Sequence, residues 1–228
     1  MTGRNIAGCE LGHVSFGGTF REMLTMTTVE YRPGSTLGVL AVHAGIEGGT
    51  GEIARAVAER CGATLLNFWQ HTTDRRLHLT SSLFDPHACT ELTAFLSRSR
   101  RVISLHGHHR LTHQRHVFVG GGNRRLAARL ARALRTDIPN LPVVANLRDI
   151  PPRLRGVHPA NPVNLCAEGG VQLELPPCAR GLVVPGPTSQ EHRMHTCDPD
   201  SGLRVQLVDT LCRVAGTNGE NQAGMRAH

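Results

Sequence analysis

Short runs of apolar and β-branched residues alternate along this chain with amphipathic helical patterns, and this alternation constrains the fold more than any other feature. The strand-like runs are residues 37–42, 63–68, 101–105, 116–119, 142–146, 171–175 and, more weakly, 181–184. The helical patterns are residues 51–60, 86–99, 123–135 and 202–215. Alternating β and α units predict an α/β fold with a mixed, mostly parallel β-sheet flanked by helices.

The length of 228 residues suits one domain with a substantial core. We expect a single domain over residues 1–214, followed by a disordered tail at 215–228 that is rich in Gly and polar residues. Two stretches rich in proline and polar residues, 150–164 and 185–202, are expected to be surface excursions. For the first helix, Thr50 is the predicted N-cap and Gly62 the predicted C-cap.

The charge and aromatic content narrow the range of partners. The net charge is +7, all 25 basic residues are arginine, and aromatic residues make up 4% of the chain. A positive field favours an acidic partner, but so few aromatic residues make base-stacking platforms hard to build. The charge alone leaves nucleic acid, an anionic membrane and an anionic polymer open as partners. No helix-turn-helix, zinc-finger or aromatic ribonucleoprotein motif occurs, so we expect no nucleic acid. The arginine-rich helix at 123–135 is interpreted as a solvated helix face.

The start of the chain and the cysteines indicate the compartment. The sequence MTGRNIAGCELGHVSF has no continuous apolar stretch, so it predicts neither a signal peptide nor a membrane span. Seven cysteines without a CxxC pair indicate neither a disulfide framework nor a thiolate zinc site. We expect a cytoplasmic monomer that makes no membrane contact, so action outside the cell would need lysis or a non-standard route.

Metal-ligand residue types follow two of the predicted strands. His43 and Glu47 follow the run at 37–42, and His106 ends the run at 101–105. Because loops beyond the carboxyl ends of parallel strands carry function in open α/β sheets, these side chains are candidates for a common site. Two imidazoles and one carboxylate are a set that holds catalytic zinc. The alternative is that they are surface groups or hydrogen-bonded core histidines.

Glu174 is the candidate proton carrier. The alternation of GGVQLEL places Val171, Leu173 and Leu175 on one face and Gln172 and Glu174 on the other. An amphipathic edge strand with Glu174 in water is one interpretation. In a buried sheet, however, an unpaired carboxylate would be costly, whereas a glutamate beside a metal-bound water has a function.

Five motifs occur in a fixed order: VHAGIEGGTGEIA, RRLHLTSSLFD, VISLHGHH, VFVGG and NPVNLCAEGGVQLEL. Together, over roughly residues 35–180, they resemble the phage-type poly-γ-glutamate hydrolase family, whose members resemble zinc carboxypeptidases in fold. The resemblance implies zinc (Zn2+) held by His43, Glu47 and His106, with Glu174 as general base and acid. It also implies hydrolysis of γ-glutamyl amide bonds within poly-γ-glutamate.

The first motif departs from the family pattern. The family reads H-G-G-x-I-E, whereas this chain reads H-A-G-I-E, so the loop between His43 and Glu47 is one residue shorter. Since zinc is held about 2 Å from each ligand atom, the shorter loop must close differently or the site is impaired. Glu52, one helical turn further on, is the less favoured substitute for Glu47.

Four further residues are candidates for binding substrate. His78 lies in the second motif and is either near the site or a core histidine. Arg76 and Arg180 are candidates for binding carboxylates, because guanidinium groups suit them. Asn164 either holds a backbone turn or binds a substrate amide. The histidines after His106 are expected to line a solvated loop.

Two other functions are compatible with the sequence. A zinc amidase that acts on a small N-acyl amino acid, as an N-formylglutamate deformylase does, would use the same ligand set. A metal-free protein that binds an anionic polymer would result if the shortened loop had abolished zinc binding.

Overall fold

The computed structural model describes residues 14–70, 76–182 and 202–216. The strands are β1 (Val14–Phe16), β2 (Thr27–Arg32), β3 (Leu37–Ala41), β4 (Thr64–Gln70), β5 (Arg76–His78), β6 (Arg101–Gly107), β7 (Val117–Val119), β8 (Val143–Val144) and β9 (Gly170–Leu175). The α-helices are α1 (Phe20–Leu24), α2 (Thr50–Cys61), α3 (Thr90–Arg98), α4 (Arg124–Asp137) and α5 (Gly202–Gly216). Short 3₁₀ turns lie in several of the connections.

Seven of these strands form one sheet, in the order β2-β4-β3-β6-β9-β7-β8. The four central strands β4, β3, β6 and β9 are parallel, while β2 is antiparallel to β4 and β7 is antiparallel to β9. A separate pair joins β1 to β5. The predicted α/β architecture, with a mixed and mostly parallel sheet, is confirmed.

Both faces of the sheet are covered by apolar side chains, as expected of a parallel sheet. Val39 and Ala41 of β3 face a core shared with α2, α4 and α5. Leu40 and Val42 face the opposite core, shared with α1 and α3. Because β3, β6 and β9 are parallel, their carboxyl ends lie along the same edge of the sheet. We refer to this edge, where the candidate site lies, as the catalytic edge.

Four elements were not predicted, namely β1, α1, β2 and β5. Each has six residues or fewer, too few for a periodic pattern to stand out. The weak strand predicted at 181–184 is wrong at residues 181 and 182, which are not in a strand, and its last two residues lie outside the described part. The predicted excursion at 185–202 lies outside it as well, except for Gly202. The disordered tail predicted at 215–228 is wrong at residues 215 and 216, which are the last residues of α5, and the rest of it lies outside the described part.

The start of α2 differs from the prediction. The N-cap is Gly49 at φ +86°, and Thr50 is already the first helical residue. A Cβ at Gly49 would lie 2.3 Å from the carbonyl oxygen of Arg180, so the chain passes too closely for a side chain here. The predicted C-cap, Gly62, is confirmed at φ +61°.

Among the described residues, no helix combines the length and apolar character that a membrane span requires.

Candidate metal centre

The shortened loop after β3 closes as a tight hydrogen-bonded turn. The backbone N–H groups of Ile46 and Glu47 both donate to the carbonyl oxygen of His43, at 3.1 and 2.9 Å. Gly45 makes this turn possible at φ +87°, and a Cβ there would lie 2.6 Å from the carbonyl oxygen of Gln70. The five-residue loop thus brings the Glu47 carboxylate back against the His43 ring.

The Glu47 carboxylate lies among three histidines. Its Oε1 is 3.0 Å from His43 Nδ1 and 3.1 Å from His78 Nε2. Its Oε2 accepts from the backbone N–H of Gly107 at 2.8 Å and lies 3.5 Å from His106 Nδ1. We refer to His43, Glu47, His78 and His106 as the histidine–glutamate cluster.

Both ring nitrogens of His43 face oxygen atoms. Nε2 lies 2.7 Å from the carbonyl oxygen of Leu79, and Nδ1 lies 3.0 Å from Glu47 Oε1. A neutral imidazole has only one N–H, and a carbonyl oxygen can only accept, so the Leu79 contact takes that proton. Burial lowers the pKa of His43 although the Glu47 carboxylate opposes this shift, which favours the neutral ring. The Nδ1 lone pair then faces a carboxylate oxygen, an arrangement that a cation between them would stabilise.

The other members of the cluster fit a metal as well. Ligand atoms of His43, Glu47 and His78 all lie within 4.8 Å of one another. His106 is buried, and its Nε2 has no hydrogen-bond partner in the described residues. Burial alone would lower the pKa of His106, but the Glu47 carboxylate raises it. Burial alone would raise the pKa of Glu47, but its contacts with His43 and then His106 hold it well below its usual range. Imidazoles around one carboxylate are the donor set of a zinc site.

Glu174 lies beside this cluster on the neighbouring strand. It pairs with His106 across β6 and β9, and its side chain is buried. Burial raises the pKa of Glu174 to about 7, and the Glu47 carboxylate adds to the shift while His106 opposes it. The carboxyl group can therefore accept and release a proton near neutral pH.

Two buried amides hold Glu174, and sequence analysis did not identify their role. Gln172 Nε2 donates to Glu174 Oε1 at 2.8 Å, and Asn161 Nδ2 donates to Gln172 Oε1 at 2.9 Å. The alternation of β9 already placed Gln172 on the same face as Glu174, so a signal was present. We refer to Asn161 and Gln172 as the amide pair.

The structure does not support a substrate contact for Arg180. Its side chain is buried, with 1% exposed. The guanidinium donates to the carbonyl oxygens of Gly48, Leu175 and His108 at 2.8, 3.2 and 3.3 Å. Arg180 instead ties together the segments that follow Glu47, Glu174 and His106.

Asn164 is not brought to the site. Its Oδ1 accepts from the backbone N–H of Gly122, and its Nδ2 donates to the carbonyl oxygens of Gly156 and His158. Asn123, next to Gly122, bonds through its backbone N–H to Gly170 at the start of β9, the end of the strand opposite to Glu174. Asn164 therefore holds backbone turns, which is the first of its two predicted roles.

Three other candidates are placed as follows. Arg76 lies on β5 two residues before His78, so the two side chains point to the same face of that strand. Glu52 is exposed on α2 and does not join the cluster. His108 does not lie in a solvated loop as predicted: it is buried, with Nε2 2.8 Å from the carbonyl oxygen of His116.

Comparison with known proteins places the chain in a family. The family model described as poly-gamma-glutamate hydrolase matches residues 21–196. The SPbeta prophage-derived UPF0714 protein YoqZ of Bacillus subtilis (strain 168) is 34% identical over 139 residues, which are 60% of this chain and 47% of that protein. The chain spans about half the length of the curated relatives it matches.

Two solved structures share the fold. A bacteriophage poly-gamma-glutamate hydrolase matches with a TM-score of 0.66 and 23% identity, covering 84% of this chain and 89% of that one. A zinc-free apo structure of YNDL matches with a TM-score of 0.65 and 27% identity, covering 86% and 92% of the two chains. Since the family model covers well over half of the residues, this chain belongs to the poly-gamma-glutamate hydrolase family.

Proposed function

We propose that this protein is a zinc-dependent hydrolase that cleaves γ-glutamyl amide bonds in poly-γ-glutamate. Family membership supports the substrate class and the reaction type. The metal is supported by the donor set of the histidine–glutamate cluster, and zinc in particular by the zinc-free form in which a relative has been described.

The main support for a bound metal comes from the contacts of His43. Its single N–H is taken by the carbonyl oxygen of Leu79, so its other nitrogen meets Glu47 Oε1 as a lone pair at 3.0 Å. A histidine that binds zinc usually donates the N–H of its other ring nitrogen to a carbonyl or carboxylate oxygen, and this bond fixes its tautomer. His43 is thereby prepared to bind a metal through Nδ1.

The proposed ligands are His43, Glu47 and His106. His106 is chosen as the third ligand because its ring is buried, whereas 30% of the His78 side chain is exposed. His78 then faces the substrate side of the centre, where it also bonds to Glu47. When bound, zinc would supply a water of lowered pKa and would polarise the scissile carbonyl.

Glu174 is proposed as the general base and acid. It accepts the proton of the attacking water and passes it to the leaving amine, and a pKa of about 7 suits both transfers. The amide pair fixes the orientation of its carboxyl group through the bond from Gln172. A γ-linked polymer carries a carboxylate at every residue, so cationic groups such as Arg76 are suited to bind it.

The test of this function is the chain length of purified poly-γ-glutamate after incubation with the protein, with and without a zinc chelator. We expect shortening that the chelator abolishes and that added zinc restores. Glu174→Gln should retain zinc and lose the activity. Glu52→Gln, which removes an exposed carboxylate outside the cluster, is the matched control and should keep both.

Other outcomes select the other functions. One zinc per chain without shortening of the polymer, but with cleavage of a small N-acyl amino acid, would identify an amidase. Absence of both zinc and cleavage would contradict the proposal and favour a polymer-binding protein.

Measured zinc content also tests the ligand set. His106→Asn should lower the zinc content of the purified protein, whereas His78→Asn should keep the metal and lower activity. The reverse result would make His78 the third ligand.

A further inference from the structure

Helix α4 presents a row of arginines that the proposed reaction does not use. The row consists of Arg125, Arg129, Arg132 and Arg135, which follow one another at spacings of three or four residues. Residues at these spacings are neighbours on a helix surface, and like charges there repel. We refer to these four residues as the arginine face. The repulsion between these guanidinium groups destabilises the helix, and a bound polyanion would reduce it.

Among the described residues, the acidic group on α4 does not pair with Arg125 or Arg132. The single acidic residue of α4 is Asp137, in its last turn. Its carboxylate accepts from the Thr210 hydroxyl at 2.7 Å and from the Arg213 guanidinium on α5. In the described ranges, the structure gives the exposed side chains of Arg125 and Arg132 no hydrogen bond or ion pair. Both guanidinium groups are therefore available to an external anion.

Two grooves run along the arginine face, one on each side of exposed Ala128. The first has a volume of about 540 Å³ and lies between α4 and α5, where Arg125, Arg129 and the paired Arg213 and Asp137 line it. The second has a volume of about 480 Å³ and lies between α4 and the segment after β8. Arg132 lines both grooves. A chain with regularly spaced anionic groups could lie in either groove and contact several arginines.

The second groove lies two strands away from Glu174. Ala145 and Asn146, which line it, directly follow Val144 of β8. Val144 pairs with Phe118, and Phe118 pairs with Glu174. Two strand spacings amount to about 10 Å along the sheet. Helix α4 packs on the face formed by Val171 and Leu173, however, and Glu174 alternates to the opposite face. A polymer held on α4 must therefore pass around β8, the last strand of the sheet, to reach the histidine–glutamate cluster, and this requires a long chain.

The chemistry of the grooves favours carboxylates over nucleobases. Among the described residues that line them, none is aromatic, so neither groove offers a surface for base stacking. Guanidinium groups bind carboxylates bidentately. We infer that the arginine face of α4 is a second binding site for a polycarboxylate chain, which holds the polymer while the catalytic edge acts on it. This inference rests on the proposed function for the identity of the polymer.

The test is binding of fluorescently labelled poly-γ-glutamate to the full chain carrying Glu174→Gln, so that the polymer is not cut. Replacing both Arg125 and Arg132 by Gln in that background should weaken binding about fivefold at low salt, and the difference should shrink as salt increases. In the active protein, the same pair of substitutions should raise KM for long polymer and leave cleavage of a short γ-glutamyl oligomer unchanged.

The matched control replaces Arg21 and Arg98 by Gln. These arginines are exposed, lie on α1 and α3 against the opposite core, and change the net charge equally, while Arg98 Nε also donates to the carbonyl oxygen of Gly34. Equal effects of the two double variants would show a general charge effect and overturn the inference. Stronger binding of a duplex or single-stranded nucleic acid than of poly-γ-glutamate of equal charge would also overturn it, in favour of a nucleic-acid site.

Binding and cleavage separate the two proposals. Binding that depends on Arg125 and Arg132 without any cleavage of the polymer would refute the proposed function and keep this site as a polyanion site. Cleavage of long polymer that is indifferent to both substitutions would keep the proposed function and refute the site.

Discussion

Replacement of Gln172 by Met tests whether the amide pair positions Glu174. Methionine has a similar length and flexibility but can donate no hydrogen bond to a carboxylate. The substitution therefore removes the 2.8 Å bond from Gln172 Nε2 to Glu174 Oε1. It also removes the acceptor of Asn161 Nδ2, which lies 2.9 Å from Gln172 Oε1. All three side chains are buried, so water does not easily replace either bond.

The expected magnitudes follow from these two bonds. A hydrogen bond to a charged group contributes about 1.5–3 kcal/mol, so its loss in the rate-limiting step lowers kcat roughly tenfold to hundredfold. Leaving the Asn161 donor unpaired costs about 1–3 kcal/mol of stability. Because Gln172 contacts no member of the proposed ligand set in the described structure, KM and zinc content should not change. A fall in kcat at constant KM is the signature of an interaction that acts in the transition state.

Asn67→Leu is the matched control. Asn67 is another buried amide whose Nδ2 donates to a glutamate, Glu30 Oε2 at 3.1 Å, and it also donates to the carbonyl oxygen of Gly51. The control should lose a similar amount of stability in urea unfolding without losing kcat. If Gln172→Met matched the control in both stability and kcat, the amide pair would be purely structural and the reasoning would be refuted.

Three further predictions concern the loop, acid stability and the buried arginine. Gly45→Ala should lower the unfolding free energy by about 2–4 kcal/mol and reduce zinc content, because φ is +87° and a Cβ would meet a backbone oxygen at 2.6 Å. The control is Gly62→Ala, where φ is +61° and a Cβ would meet nothing within 4 Å. It should lower the unfolding free energy by only about 1 kcal/mol and keep its zinc. Burial would raise the pKa of Glu30, but hydrogen bonds led by Arg55 lower it to about 2. The stabilisation that ionised Glu30 provides should thus be complete above pH 4.5 and be lost as the pH falls towards 2. In urea unfolding, Glu30→Gln should lower stability by about 1–2 kcal/mol at neutral pH, after solvent screening, and should have no effect at pH 2. The control Glu59→Gln should have no effect at either pH. Arg180→Lys should lower stability by about 3 kcal/mol in thermal unfolding, because three different guanidinium nitrogens reach the three carbonyl oxygens and the single nitrogen of a lysine cannot. A raised KM at unchanged stability would instead restore its predicted substrate role.

Much of the fold followed from the sequence because the central strands are buried on both faces. Such strands appear as continuous apolar runs, and the parallel strands β3, β4, β6 and β9 were all predicted. The antiparallel edge strand β2 was missed because its side chains alternate only weakly between partly buried and exposed. Helix α1 was missed because five residues form barely more than one turn. Its start is fixed by a capping box of Thr19 and Glu22 rather than by periodicity.

The site was partly predictable for a different reason. His106 and Glu174 are the next-to-last residues of β6 and β9, and His43 lies two residues after the end of β3, so the parallel sheet itself brings them to one edge. Glu47 could be placed only by the closing of its loop, which depends on Gly45 and on the close approach of Gln70. His78 reaches the cluster from β5, a strand outside the main sheet that the sequence did not reveal.

Arg180, Gln172 and Asn161 show where sequence patterns stop being informative. Arg180 was interpreted by its own chemistry as a carboxylate binder, Gln172 only by its face of the strand, and no contact of Asn161 with Gln172 was predicted. Their roles depend instead on partners distant in the chain: Arg180, for example, donates to Gly48, which lies 132 residues earlier. A polar side chain on a face of the sheet that other elements cover cannot reach water, so it must be paired. Gln172 lies on such a covered face together with Glu174, and its bonds to Glu174 and Asn161 follow from that burial, which makes it a supporting residue for Glu174.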